Sequence, residues 1–150
     1  MRSRFILAAA IASAIAFLLT VYAADHTITV FKTPTCGCCG IWVNHLKANG
    51  FQVIVKEVES TEEYQAKYGV PERLRSCHTA ILNGYTIEGH VPASDIQRLL
   101  KEKPKAKGLA VPGMPIGSPG MEAGNRSQRY QVLLFQQNGD TSVYKEYPAR

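Results

Sequence analysis

The chain carries little net charge for its length. Over 150 residues, 17 Lys and Arg stand against 12 Asp and Glu, and two of the cations, Arg2 and Arg4, fall in an amino-terminal segment that reads as removable. Without those two the balance is 15 against 12, too weak to hold a polyanion, so nucleic acid is excluded as a partner. No internal repeat and no second domain can be traced. Cysteine is scarce as well, with four residues in all. They are not arranged as the two separated pairs typical of a zinc site, nor in the usual spacings of iron–sulfur clusters.

What is present begins with an uncharged run from Phe5 to Ala24, preceded by Arg2 and Arg4 and closing on small residues. Residues 1–23 read as a secretory signal cut after Ala23. An uncleaved anchor is the alternative, since the run is close to the ~18 residues at which a spanning helix becomes plausible. In both cases residues 24–150 face an exported, periplasmic-type, oxidising compartment, and the chain meets a membrane only if the segment is retained. The remainder suits one domain.

Its pattern is α/β. His26–Phe31 alternates and is rich in β-branched residues, which predicts a strand. Cys38–Asn49 places Ile41, Trp42, His45 and Leu46 at helical spacing and stops at Asn49-Gly50. A strand over Phe51–Val58 follows, then a short helix opening at Thr61-Glu62-Glu63 and stopping at Gly69-Val70-Pro71. Thr79–Leu82 and Tyr85–Glu88 flank Asn83-Gly84, a strong two-residue hairpin signal. A helix starts at Pro92-Ala93-Ser94-Asp95 and runs to about Lys103. This β-α-β-α-β-β-α order, with cysteines at the first strand-to-helix junction, predicts a thioredoxin-like domain. Where such domains carry a proline before the third strand, this chain has Arg75-Ser76-Cys77-His78.

Beyond Lys105 the composition changes. Gly108–Gly124 holds five glycines, three prolines, Met114 and Met121, so residues 105–124 read as a long loop, which in a compact domain is more often functional or mobile than neutral. Tyr130–Phe135 and Thr141–Tyr144, around Asn138-Gly139-Asp140, predict an added carboxy-terminal hairpin packed beside the core sheet.

The chemistry lies in Thr33-Pro34-Thr35-Cys36-Gly37-Cys38-Cys39-Gly40. At a helix start, free N–H groups and the positive end of the dipole favour thiolate, the form that attacks disulfides and binds metals. Cys36 and Cys39, at i and i+3, can meet, whereas adjacent helical residues such as Cys38 and Cys39 diverge by ~100°. With Cys77 brought in from its loop, four sulfurs surround a small volume. Bridging thiolates suit several Cu(I) ions better than one zinc. A pair of structural disulfides is the plain alternative in an exported protein, but three cysteines within four residues close only tiny loops. A thiol-disulfide oxidoreductase using Cys36 and Cys39 accounts for the C-x-x-C and leaves Cys38 and Cys77 unexplained.

Among nitrogen donors, His78 follows Cys77 directly, and His90 leaves the hairpin, where it either turns back to the site or occupies a surface turn. His45 lies ~10.5 Å along the helix from Cys38, too far to share an ion with it. Met114 and Met121 offer thioethers to Cu(I), or pin the loop to the core. His26 would complete an amino-terminal Cu(II) set only if the cut falls after Ala23, and otherwise simply opens the first strand. No catalytic residue is assigned, and the pattern fits a metal-binding protein better than an enzyme.

Together, KTPTCGCCGIWVNHL, SCHTA, IEGHVPA and GLAVPGMPIGSPGME resemble the CopG-type copper-resistance family, catalogued as a domain of unknown function, over about Thr27–Tyr147. The resemblance implies an exported thioredoxin-like copper-binding protein, associated with copper efflux and resistance, whose partner would be a copper-efflux or copper-chaperone protein. It implies Cys36, Cys38, Cys39 and Cys77 as ligands, and leaves the histidine open among His45, His78 and His90.

Overall fold

The computed structural model describes residues 26–150; the segment read as a signal or anchor lies outside them. Strand β1 (Thr27–Lys32) leads into helix α1 (Gly37–Ala48), strand β2 (Gln52–Glu57) and helix α2 (Glu62–Lys67). A 3-10 turn (Glu72–Leu74) precedes the hairpin β3 (His78–Leu82) and β4 (Tyr85–Glu88). Helix α3 (Ala93–Glu102), strand β5 (Gly108–Ala110) and the hairpin β6 (Tyr130–Phe135) and β7 (Thr141–Tyr147) complete it. Among the described residues this is a mixed α/β fold with one seven-stranded sheet, ordered β2-β1-β3-β4-β5-β6-β7. No helix among them is long and apolar enough to cross a membrane.

Strand alternation divides the apolar residues between two faces of the sheet. Ile28, Val30, Ala80, Leu82, Ile87, Leu109 and Val132 meet Trp42, Val43 and Leu46 of α1 and Ile96 and Leu99 of α3 in the main core. A smaller cluster joins Val70, Leu74, Ala110 and Phe135, while Phe31 stacks on Tyr64 of α2 with ring centroids 4.3 Å apart. Asn83 and Gly84 both take positive φ, 49° and 83°, and Leu82 pairs with Tyr85, which is the tight hairpin their dipeptide predicts.

The carboxy-terminal region departs from its sequence reading in one respect. The stretch 105–124 is not loop throughout, because Gly108–Ala110 forms β5, parallel to β4 and antiparallel to β6. The final hairpin therefore continues the sheet instead of lying beside it. A three-residue strand carries too few residues to show a period, and its glycine argues locally against a strand. The glycine is required by packing, since a Cβ at Gly108 would overlap the Thr86 carbonyl. The hairpin is tied to α3 by Tyr147 Oη donating to Asp95 Oδ2 (2.7 Å) and Tyr144 Oη donating to Glu102 Oε2 (2.9 Å).

Candidate metal centre

Cys36 is the N-cap of α1, in extended conformation. Its N–H donates to the Thr33 carbonyl (3.2 Å), and its own carbonyl accepts from Gly40 N–H (3.4 Å). Trp42 anchors the helix beneath, fully buried, with its indole N–H on the Val91 carbonyl at 2.9 Å. From the other side, the turn ahead of β3 delivers Cys77. All four sulfurs lie within 4.8 Å of one another. Cys36 Sγ is 3.6 Å from Cys38 Sγ, and Cys39 Sγ is 3.7 Å from the Cys77 carbonyl oxygen. The divergence expected of Cys38 and Cys39 does not keep the first three sulfurs apart, because Cys36 stands outside the helix as its cap.

Cys36 and Cys39 are joined in a disulfide, with Cα atoms 5.4 Å apart. Cys38 and Cys77 are free thiols, each partly exposed. Burial, reinforced by the neighbouring Cys38, pushes the Cys77 thiol up to about 12. It is therefore largely protonated at neutral pH, and metal binding there would release that proton.

Cys77 also belongs to a second donor group with His78 and His90. His90 Nε2 is 3.2 Å from Cys77 Sγ, and His78 Nδ1 is 3.4 Å from it. Both rings are buried, with centroids 5.1 Å apart and edge to face. Burial lowers both pKa values, that of His78 to about 3, so both rings are neutral at pH 7. Only the tautomer of His90 is fixed by a partner. His90 Nδ1 donates to the Pro119 carbonyl at 2.8 Å; a carbonyl only accepts, so Nδ1 carries the proton and Nε2 turns a lone pair toward Cys77. His78 Nε2 is buried without a hydrogen-bond partner.

The Pro119 carbonyl comes from the Gly/Pro-rich loop, which reaches the centre through its backbone. Gly120, at φ +89°, lies against α1 so closely that a Cβ there would come within 2.7 Å of the Cys38 carbonyl oxygen and 3.2 Å of His90 Nδ1. Earlier in the loop, the Gly113 carbonyl accepts from Ser76 Oγ at 2.5 Å. On the same loop Met114 is half exposed and Met121 partly buried. His45 accepts the Ala93 N–H at its Nε2 (3.1 Å) and so caps the start of α3.

Two groups beside the donors are not legible in the sequence: the Pro119 carbonyl leaves no side-chain signature, and nothing local distinguishes Glu88 from any other acid at the end of a strand. Glu88 is fully buried and accepts from Ser76 N–H, Gln65 Nε2 and Thr79 Oγ1 at 2.6–2.7 Å. Burial raises its pKa to about 7 against the pull of those donors.

A cluster of soft sulfur donors, shared through one cysteine with a pair of neutral imidazoles, on a mixed α/β sheet, defines the class as a candidate soft-metal-binding protein. Residues 74–121 match the family described as "Protein of unknown function, DUF411". Among solved structures the chain is similar to "Copper resistance protein copG- Form 1", at 45% identity over 83% of this chain and 98% of that one, with a TM-score of 0.79. It is equally similar to "Copper resistance protein copG- Form 2", at 46% identity over 81% and 98%, with a TM-score of 0.78. No curated protein matches. At that identity and coverage, the chain belongs to the CopG copper-resistance family.

Proposed function

We propose that this chain is an exported, periplasmic copper-binding protein of copper resistance, built on a thioredoxin-like domain spanning residues 24–150, whose cargo is Cu(I) held in a thiolate-bridged site of several ions. The observation that carries the reading is the sharing of Cys77 between the four-sulfur group and the Cys77–His78–His90 group. Sulfur can bridge soft ions, so contiguous donor sets favour a multinuclear site over one tetrahedral ion. Cys36, Cys38, Cys39 and Cys77 would supply the sulfurs. His90 fits as the nitrogen donor because metal-bound histidines as a rule donate their other N–H to a carbonyl or carboxylate, as Nδ1 does to Pro119. His78 has no such support for its second nitrogen and fits better as a donor to the Cys77 sulfur. Met114 and Met121 remain thioether candidates on the covering loop.

The full sulfur set requires the Cys36–Cys39 bond to open. Two electrons and two protons convert it to two thiols, and metal binding then releases the thiol protons. The disulfide also favours a second reading, a thiol-disulfide oxidoreductase with Cys36 as nucleophile and Cys39 as resolving thiol. The readings part at Cys77. Reduced protein is loaded with Cu(I) without oxygen, and bound copper per chain is measured against a competing chelator. More than one tightly held copper in wild type, sharply reduced in Cys77→Ala, is the expected result. One or none, unchanged by the substitution, overturns the copper reading in favour of disulfide exchange.

A further inference from the structure

Glu88 takes no part in the donor set, yet its carboxylate sits directly behind the turn that presents Cys77. It ends β4 opposite Thr79 of β3. Its Oε1 accepts from the Ser76 N–H at 2.6 Å and from Gln65 Nε2 at 2.7 Å, and its Oε2 accepts from Thr79 Oγ1 at 2.6 Å. The Gln65 amide, reaching across from α2, also donates to the Ser76 carbonyl at 2.9 Å, and the Ser76 hydroxyl donates to the Gly113 carbonyl. Every polar group of Ser76 is therefore held, and none of these bonds is a rung of the sheet. Side-chain space is equally restricted, because a Cβ on Gly89 would come within 2.8 Å of the Ser76 side chain.

No proline stiffens Arg75-Ser76-Cys77-His78, so the turn depends on these bonds for its conformation. An apolar residue at position 88 would fill the space and leave the Ser76 N–H and a Gln65 amide hydrogen buried without acceptors. A carboxylate has lone pairs enough for all three donors.

We propose that Glu88 is the positioning residue for Cys77, fixing the Ser76 backbone so that the next residue's sulfur is delivered to the copper-binding donors. The copper part of this proposal rests on the function proposed above; the placement of the thiol does not.

The test uses the full chain, reduced and metal-free, and follows iodoacetamide alkylation of Cys77 and Cys38 by peptide mass spectrometry, beside copper affinity and thermal unfolding. Glu88→Ala is expected to raise the Cys77 rate about tenfold relative to Cys38, as expected when a local opening becomes easier, and to weaken copper binding by about 10–100-fold, the usual cost of losing a supporting partner. Glu88→Gln should restore both, since its carbonyl can serve Ser76 and Gln65 while its amide donates to Thr79 Oγ1. Gln65→Ala, which removes the bonds to Glu88 and to the Ser76 carbonyl and keeps the carboxylate, should give a smaller rise of the same sign; if Glu88→Ala does not fold, Glu88→Leu, which removes the acceptor and keeps the bulk, takes its place and should show the same selective rise at Cys77. Unchanged Cys77 reactivity overturns the proposal. So does an equal rise at Cys38 and Cys77 accompanied by a lower unfolding temperature, which would make Glu88 a general fold residue. A selective Cys77 response in a protein that holds no copper would uphold the positioning role and sink the copper reading alone.

Discussion

A histidine can serve a soft metal only if it is neutral and its lone pair is aimed, and the two buried imidazoles here differ in the second condition. The bond from His90 Nδ1 to the Pro119 carbonyl sets its tautomer, whereas His78 Nε2 has no partner. His90→Ala is therefore expected to weaken Cu(I) binding at least tenfold, and His78→Gln by clearly less, in a chelator competition titration; the reverse order would exchange their roles. Two buried groups also give the stability of the metal-free protein opposite pH slopes. His78, lowered from 6.5 to about 3, stays neutral in the fold while the unfolded chain takes up a proton. Its contribution is complete above pH 6.5 and is lost as pH falls toward about 3. Glu88, raised from 4.5 to about 7, contributes fully below pH 4.5 and loses that contribution as pH rises through about 7. Urea unfolding across this range should show a shallower acid limb in His78→Phe and a flatter slope between pH 4.5 and 7 in Glu88→Gln.

The first turn of α1 carries the one disulfide of the described residues, and the Gly/Pro-rich loop packs against that turn at Gly120. With Cys36 and Cys39 joined, half of the sulfur set is withdrawn, so protein oxidised before loading should bind measurably less Cu(I) per chain than reduced protein, with recovery after reduction. Equal stoichiometry in both states would mean that those two sulfurs are not ligands. The loop depends on close approach. Gly120→Ala would place a methyl within 2.7 Å of the Cys38 carbonyl oxygen at a residue with φ +89°, lifting the loop and with it the Pro119 carbonyl. Lower thermal stability together with weaker copper binding is expected. The sequence announced this loop by composition and marked its methionines. That its backbone would orient His90 was not legible, because a carbonyl contact between residues 29 positions apart has no residue-type signal.

Across the whole molecule, one continuous sheet joins the amino-terminal βαβ unit to the final hairpin, so both halves should unfold together. The single tryptophan, Trp42, lies in the main core with its ring 4.3 Å from His78, and its fluorescence should track the same transition as far-ultraviolet circular dichroism. Tyr147→Phe removes the hydrogen bond to the Asp95 carboxyl and should lower stability by ~1 kcal/mol with copper stoichiometry unchanged; a lost copper ion would mean that the hairpin shapes the site. Local chemistry carried much of this architecture. Asn83-Gly84 can hardly be anything but a hairpin turn, Asn49-Gly50 stops a helix, and three cysteines in one turn announce sulfur chemistry, because each of these signals depends on near neighbours in the chain. The short strand β5, the close approach of Cys77 to Cys36, Cys38 and Cys39, the carbonyl partner that His90 has and His78 lacks, and the burial of Glu88 depend on distant segments packed against one another. Packing removes water from those groups, and the loss of water sets their protonation and obliges each polar atom to find a partner, which no local pattern of residues can specify.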